Sequence, residues 1–167
     1  MGRDAPRDRR QPNVFDEEPT LGGFGTGVRA AELFRRAGAE RLGGTLYELA
    51  AGSRGVPLHF HHGNEEVLIV LSGSPTLRTS DGRRALAAGD VVAFRAGSRG
   101  VHAVENDTDE TIRYLMTSTR RQPDVVEYPD AGTIRATTRS VFDGPPAADA
   151  APDAVNIVFD RATAVDS

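Results

Sequence analysis

The sequence predicts an all-β fold: a closed antiparallel barrel or jelly roll with extended N- and C-terminal segments. Three observations predict it. Between residues 45 and 119, short segments alternate or run apolar, as strands do. Breaks rich in Gly, Ser, Asn and Asp separate them at close intervals. No helical pattern interrupts the series, and many short strands with tight turns favour closure, which leaves no sheet edge open.

In chain order, residues 1–26 read as a mobile tail, rich at first in Pro, Arg and Asp, with Val14 and Phe15 as the exception. "LGGFGTG" (21–27) is a glycine-rich connector. No strand precedes it and no Lys-Ser/Thr follows, so it is not a phosphate loop. Residues 28–44 fit a short helix or an irregular strand, and periodicity does not decide. The strands then read as TLYELA (45–50), VPLHFH (56–61), EVLIVL (66–71), PTLRTS (75–80), RRALA (83–87), DVVAF (90–94), VHAVE (101–105) and TIRYLMTST (111–119). Asp81 and Gly82 are expected at the centre of a tight hairpin turn, because both tolerate φ > 0. The barrel is thus expected over 27–120, and a C-terminal extension over 121–167. That extension holds an Ala/Pro/Asp-rich linker (143–154) and one strand, VNIVFD (155–160). A strand alone is unstable, and neither it nor "NVF" (13–15) has an obvious partner within one barrel. A homodimer follows as an expectation.

Composition excludes several chemistries. The chain has 167 residues, a formal charge of -4 and no cysteine. Disulfides, thiolate nucleophiles and thiolate metal ligands are ruled out. All 20 basic residues are arginine, so no lysine can form a Schiff base. The net charge gives no footprint for nucleic acid. No apolar run is long enough to span a bilayer, and the first 20 residues lack a secretory core. A cytoplasmic protein without membrane or nucleic-acid partners is expected.

The chemistry concentrates in "HFHHGNEEVLIVLSG" (59–73), which holds three of the four histidines. Residues i and i+2 of a strand share a face, so His59 and His61 project together. Their imidazoles can meet one ion. The chain turns through Gly63-Asn64 and returns with a carboxylate opposite the pair. His102, opening a later strand, is positioned to add a fourth ligand. His62 has the other parity and reads as a turn residue.

These stretches resemble the two motifs of the cupin family. The first supplies His59, His61, Glu66 and Gly73. Its Glu-x6-Gly spacing selects Glu66 over Glu65, and strand parity agrees, since Glu66, Leu68 and Val70 share a face. The second, "GDVVAFRAGSRGVHAVEN" (89–106), supplies Gly89, Gly97, His102 and Asn106. Ser53 stands where the family has glycine, and Arg95 where it has proline.

The resemblance implies one divalent metal held by His59, His61, Glu66 and His102. Such a donor set suits Fe, Mn, Ni, Co or Zn alike. It implies a small-molecule metalloenzyme, oxygenase-like or an isomerase or lyase, acting on a chelating small acid, enol or diol. The alternative is a metal-dependent protein that binds or senses a small ligand without turnover. The dioxygenase-like reaction is preferred, because no cation cluster for a sugar phosphate is legible. Glu66 and Tyr47 are the candidate catalytic groups. Arg78 and Arg113 are expected in solvent. Leu68, Val70 and Tyr47 are expected to give the pocket a mainly apolar lining.

Overall fold

Residues 28–44 resolve into a strand, one helical turn and the start of a second strand. The computed structural model describes residues 11–22, 25–138 and 156–161. It places β1 at Val28–Glu32, α1 at Leu33–Arg36 and β2 at Leu42–Leu49. The expected barrel strands follow as β3 (Phe60–His61), β4 (Glu66–Ser72), β5 (Thr76–Thr79), β6 (Gly82–Ala85), β7 (Val91–Phe94), β8 (His102–Glu105) and β9 (Ile112–Thr119). Three more strands lie beyond them: β10 (Asp124–Tyr128), β11 (Thr133–Thr137) and β12 (Asn156–Asp160).

The strands form two walls, and every pairing is antiparallel. One wall is the five-stranded sheet β1-β2-β9-β4-β7. The other combines the sheets β6-β5-β8 and β12-β11-β10-β3. The bridge between His59 and His102 sews these two together. His59 and His102 exchange both backbone hydrogen bonds, at 3.0 and 2.9 Å. Directly opposed residues of an antiparallel pair put their side chains on one face. The bridge that closes the wall therefore sets two histidines side by side.

Between the walls, Leu49, Leu68, Val70, Leu77, Ile112 and Tyr114 are buried as one core. Each such side chain contributes roughly 1.5–3 kcal/mol through burial. The outer face of the five-stranded sheet is covered as well. Leu46 and Leu115 pack there with Leu33, and Phe34, Ile69 and Val14 pack against them. This second cluster explains why EVLIVL is apolar on both parities. It also anchors part of the stretch read as tail. Val14 packs, while Phe15 is 69% exposed. The Arg113 guanidinium donates to the carbonyls of Phe15 and Glu17.

Two local readings shift. In the β5–β6 hairpin Thr79 pairs with Gly82, so the loop residues are Ser80 and Asp81. The turn sits one residue earlier than expected, and only Gly82 takes a positive φ, 115°. The extension is also more than a linker and one strand. DVVEY and TIRAT pair as β10 and β11 across the turn Pro129–Gly132. β10 then pairs with β3, and β12 with β11. A boundary at residue 120 thus divides the sheet that carries His61. β12 has its partner within the chain, which removes that motive for a dimer. The linker (143–154) lies outside the described residues.

Candidate metal centre

His59, at the bridge, and His61, in β3, are two residues apart and face the barrel interior. His102 opens β8 opposite His59. The turn before it needs a bare backbone: a Cβ at Gly100 would lie 1.8 Å from the Arg95 carbonyl oxygen. Glu66 opens β4 on the far wall, in register with Phe94 and Ser118. The Phe94 ring stacks flat on His102, centroids 3.7 Å apart, and Tyr128 stacks on His59 at 5.8 Å. The donor rings are thus held by neighbours on one side.

Hydrogen bonds fix the tautomers. The Nδ1 atoms of His59 and His102 lie 2.8 and 2.9 Å from the carbonyl oxygens of Pro57 and Gly100. The His61 Nδ1 lies 2.8 Å from the Asp124 carboxylate. A carbonyl or carboxylate oxygen only accepts, so each Nδ1 carries the proton and donates. Each Nε2 is left for the interior. These Nε2 atoms stand 3.8, 3.4 and 3.3 Å from Glu66 Oε2, for His59, His61 and His102 respectively. Donor atoms of His59, His61 and Glu66 all fall within 4.8 Å of one another. Glu66 Oε2 and His102 Nε2 are buried without a hydrogen-bond partner.

Four lone pairs facing one point in a buried site repel unless a cation sits among them. In the metal-free chain that cation is a proton. Burial lowers the His61 pKa, but Asp124 and Glu66 outweigh it and raise it to about 10. Burial, then neighbouring His102, lowers His59 to about 4. Burial works to raise Glu66, yet its contacts with His102 and His61 hold it far below the usual carboxylate range. The donor set is one that could hold a metal ion, with a hydrogen-bonded orienting group behind every histidine. So stabilised a carboxylate is a weak base, which suits Glu66 to ligation more than to proton abstraction.

Tyr47 lines the same cavity, stacked on Tyr114 at 5.1 Å. Burial, then the Glu66 charge, raises its pKa, so the phenol keeps its proton. His62 points to the opposite face, 48% exposed at the side chain, with Nε2 3.4 Å from Glu127. Arg95 is exposed. Arg78 is at the surface, paired with Asp130 at 2.6 Å. Arg113 reaches the N-terminal segment instead of solvent.

The cavity, about 1190 Å³, has the mainly apolar lining expected, and Tyr47 is part of it, but two of the expected residues are not. Leu68 and Val70 pack beneath the site and do not reach it. Asp124, Tyr128, Arg135 and Arg120 do line it, and none was identified from the sequence. The first three come from the β10–β11 hairpin. Its signal was present: both strands alternate, and P-D-A-G between them is a turn.

A family model described as "Cupin domain" matches residues 45–118. The matched segment is a cupin domain. The match ends before the hairpin. Solved structures extend the likeness. A sugar phosphate isomerase of the cupin superfamily from Silicibacter pomeroyi is 26% identical, with TM-score 0.65 over 74% of this chain and 83% of that one. A protein from Acidithiobacillus ferrooxidans, also described as a sugar phosphate isomerase, is 27% identical, with TM-score 0.66 over 81% and 77%. A cupin 2 conserved barrel domain protein from Salinispora arenicola is 25% identical, with TM-score 0.50 over 72% and 90%. No curated protein matches the chain.

Proposed function

We propose that this cupin is a mononuclear metalloenzyme that acts on a small chelating acid, enol or diol. One observation carries the reading: three imidazole Nε2 atoms, each tied back through Nδ1, converge on Glu66 Oε2. His59, His61, Glu66 and His102 would hold one divalent ion. When bound, that ion supplies Lewis acidity toward oxygen ligands.

The chain's own residues do the rest. Asp124 keeps His61 in the ligating tautomer. Tyr128 and Tyr47 present phenols whose pKa values burial raises, so both keep their protons and can donate hydrogen bonds at neutral pH. Arg120 and Arg135 bring positive charge to the wall, which favours an anionic substrate. These arginines, with the likeness to sugar phosphate isomerases at 26 and 27% identity, favour isomerase or lyase chemistry over the oxygenase expected from sequence. A screen of the metal-loaded protein decides between them. Aldose–ketose interconversion or elimination without oxygen uptake supports the reading. Stoichiometric oxygen consumption overturns the isomerase branch. Ligand binding without turnover of any class would leave the sensing alternative.

A homodimer stays part of the proposal. Among the described residues, the outermost strand β12 exposes Ile157, Val158 and Phe159, and such an edge invites pairing. Sedimentation showing a monomer at micromolar concentration contradicts it. Among the described residues no helix is long and apolar enough to cross a membrane.

A further inference from the structure

The β10–β11 hairpin lies outside the matched family segment, yet it extends the wall that carries His59, His61 and His102. Its register shows what it presents. His61 pairs with Val126, and Val126 pairs with Arg135. Opposed residues share a face, so His61, Val126 and Arg135 form one row pointing into the cavity. Asp124 and Tyr128 stand two residues either side of Val126 and share that face. Two strand spacings, roughly 10 Å, separate the backbones of His61 and Arg135. Both side chains reach inward, so a short carbon chain spans what remains.

Arg135 is set for recognition. It is half-buried, lines the cavity, and its charge lies close enough to the Tyr128 phenol to offset part of the rise that burial gives that group's pKa. Tyr128 in turn stacks on His59. One side chain thus stands between the guanidinium and a histidine of the cluster. Arg54, the cation at the other side of the mouth, is drawn toward Asp107 at 2.7 Å. A guanidinium beside a phenol O–H is a donor pair suited to a carboxylate or phosphate.

We propose that Arg135 and Tyr128 bind a terminal anion, carboxylate or phosphate, of a substrate whose other end chelates at the histidine cluster. This rests on the proposed metal reading for the chelating end. The hairpin would then set substrate class, while the motif strands set the chemistry.

The test uses two probe pairs on the metal-loaded full chain, by calorimetry. 2-Oxoglutarate and 2-oxobutanoate share a chelating end but differ in a distal carboxylate. 3-Phosphoglycerate and glycerate differ in a distal phosphate. In one pair or both, the member with the distal anion should bind at least about tenfold tighter, and the pair that responds names the anion. Arg135→Gln should bring the preference to within about twofold, and Tyr128→Phe should lower it in part. Arg135→Lys keeps the charge without the fork and should retain some preference, a result that loss of folding would not give. No preference in either pair, no binding of any probe, or a preference surviving Arg135→Gln overturns the proposal. Metal content of the same samples reads the metal assignment independently of the distal preference.

Discussion

Two pieces of backbone meet at the cavity and differ in kind. The motif segments, around β3, β4 and β8, contribute donor atoms from positions fixed by the barrel itself. His59 and His102 are paired by the bridge that closes one wall, and Glu66 starts a strand in the other. The β10–β11 hairpin contributes no donor. It contributes Asp124, which orients one donor, and Tyr128 and Arg135, which face whatever the donors hold. If the proposed ion is bound there, the first region can change little without losing it. The second can change its side chains while the sheet remains, because Val126 and the backbone pairing to β3 keep it in place. On the proposed reading, ligation draws on strands of all three sheets, while specificity falls to the β10–β11 hairpin.

The sharpest break in that comparison is expected on the ligand side. His61→Ala removes an Nε2 donor and leaves the Glu66 carboxylate partly unopposed. Metal affinity should fall by at least about a thousandfold, read by competition with a chelating dye. Retention of wild-type affinity would remove His61 from the ligand set. The hairpin should matter less. Asp124→Asn keeps an acceptor near Nδ1 but loses its charge, and affinity should drop about 10–100-fold. The same variant tests the proton. With His61 raised to about 10, the metal-free site holds a proton at neutral pH that metal must displace. Affinity should therefore rise with pH below that value, by about tenfold per unit for a one-proton competition. In Asp124→Asn the His61 pKa falls, so the rise should level off at lower pH. A slope identical in both proteins would separate Asp124 from the titration. The smallest effect is expected at His62→Ala. That side chain faces Glu127 on the other side of the sheet, and metal affinity should stay within about twofold.

Much of the barrel was legible because its strands carry period-2 patterns bounded by turn residues. The ligand cluster was legible for the same reason: His59, His61 and Glu66 owe their convergence to parity and one short turn. His102 came from motif order, and the bridge to His59 supplies its physical cause. The hairpin was passed over because Pro123, Pro129 and its acidic residues gave it the texture of a linker. Period within DVVEY and TIRAT is weak evidence until a partner strand is known, and the partner, β3, is only two residues long. The mainly apolar character of the pocket was legible, but two of its expected lining residues do not reach it, for a related reason. Leu68 and Val70 do face inward, but depth along the strand, which parity does not report, puts them beneath the site.

Elemental analysis of the purified chain, dialysed beside Glu66→Ala, His102→Ala and His62→Ala, tests the metal assignment most directly. The account predicts one divalent ion per chain in the unaltered protein and in His62→Ala, and loss of most of it in the other two. Stoichiometric metal in both Glu66→Ala and His102→Ala would contradict it.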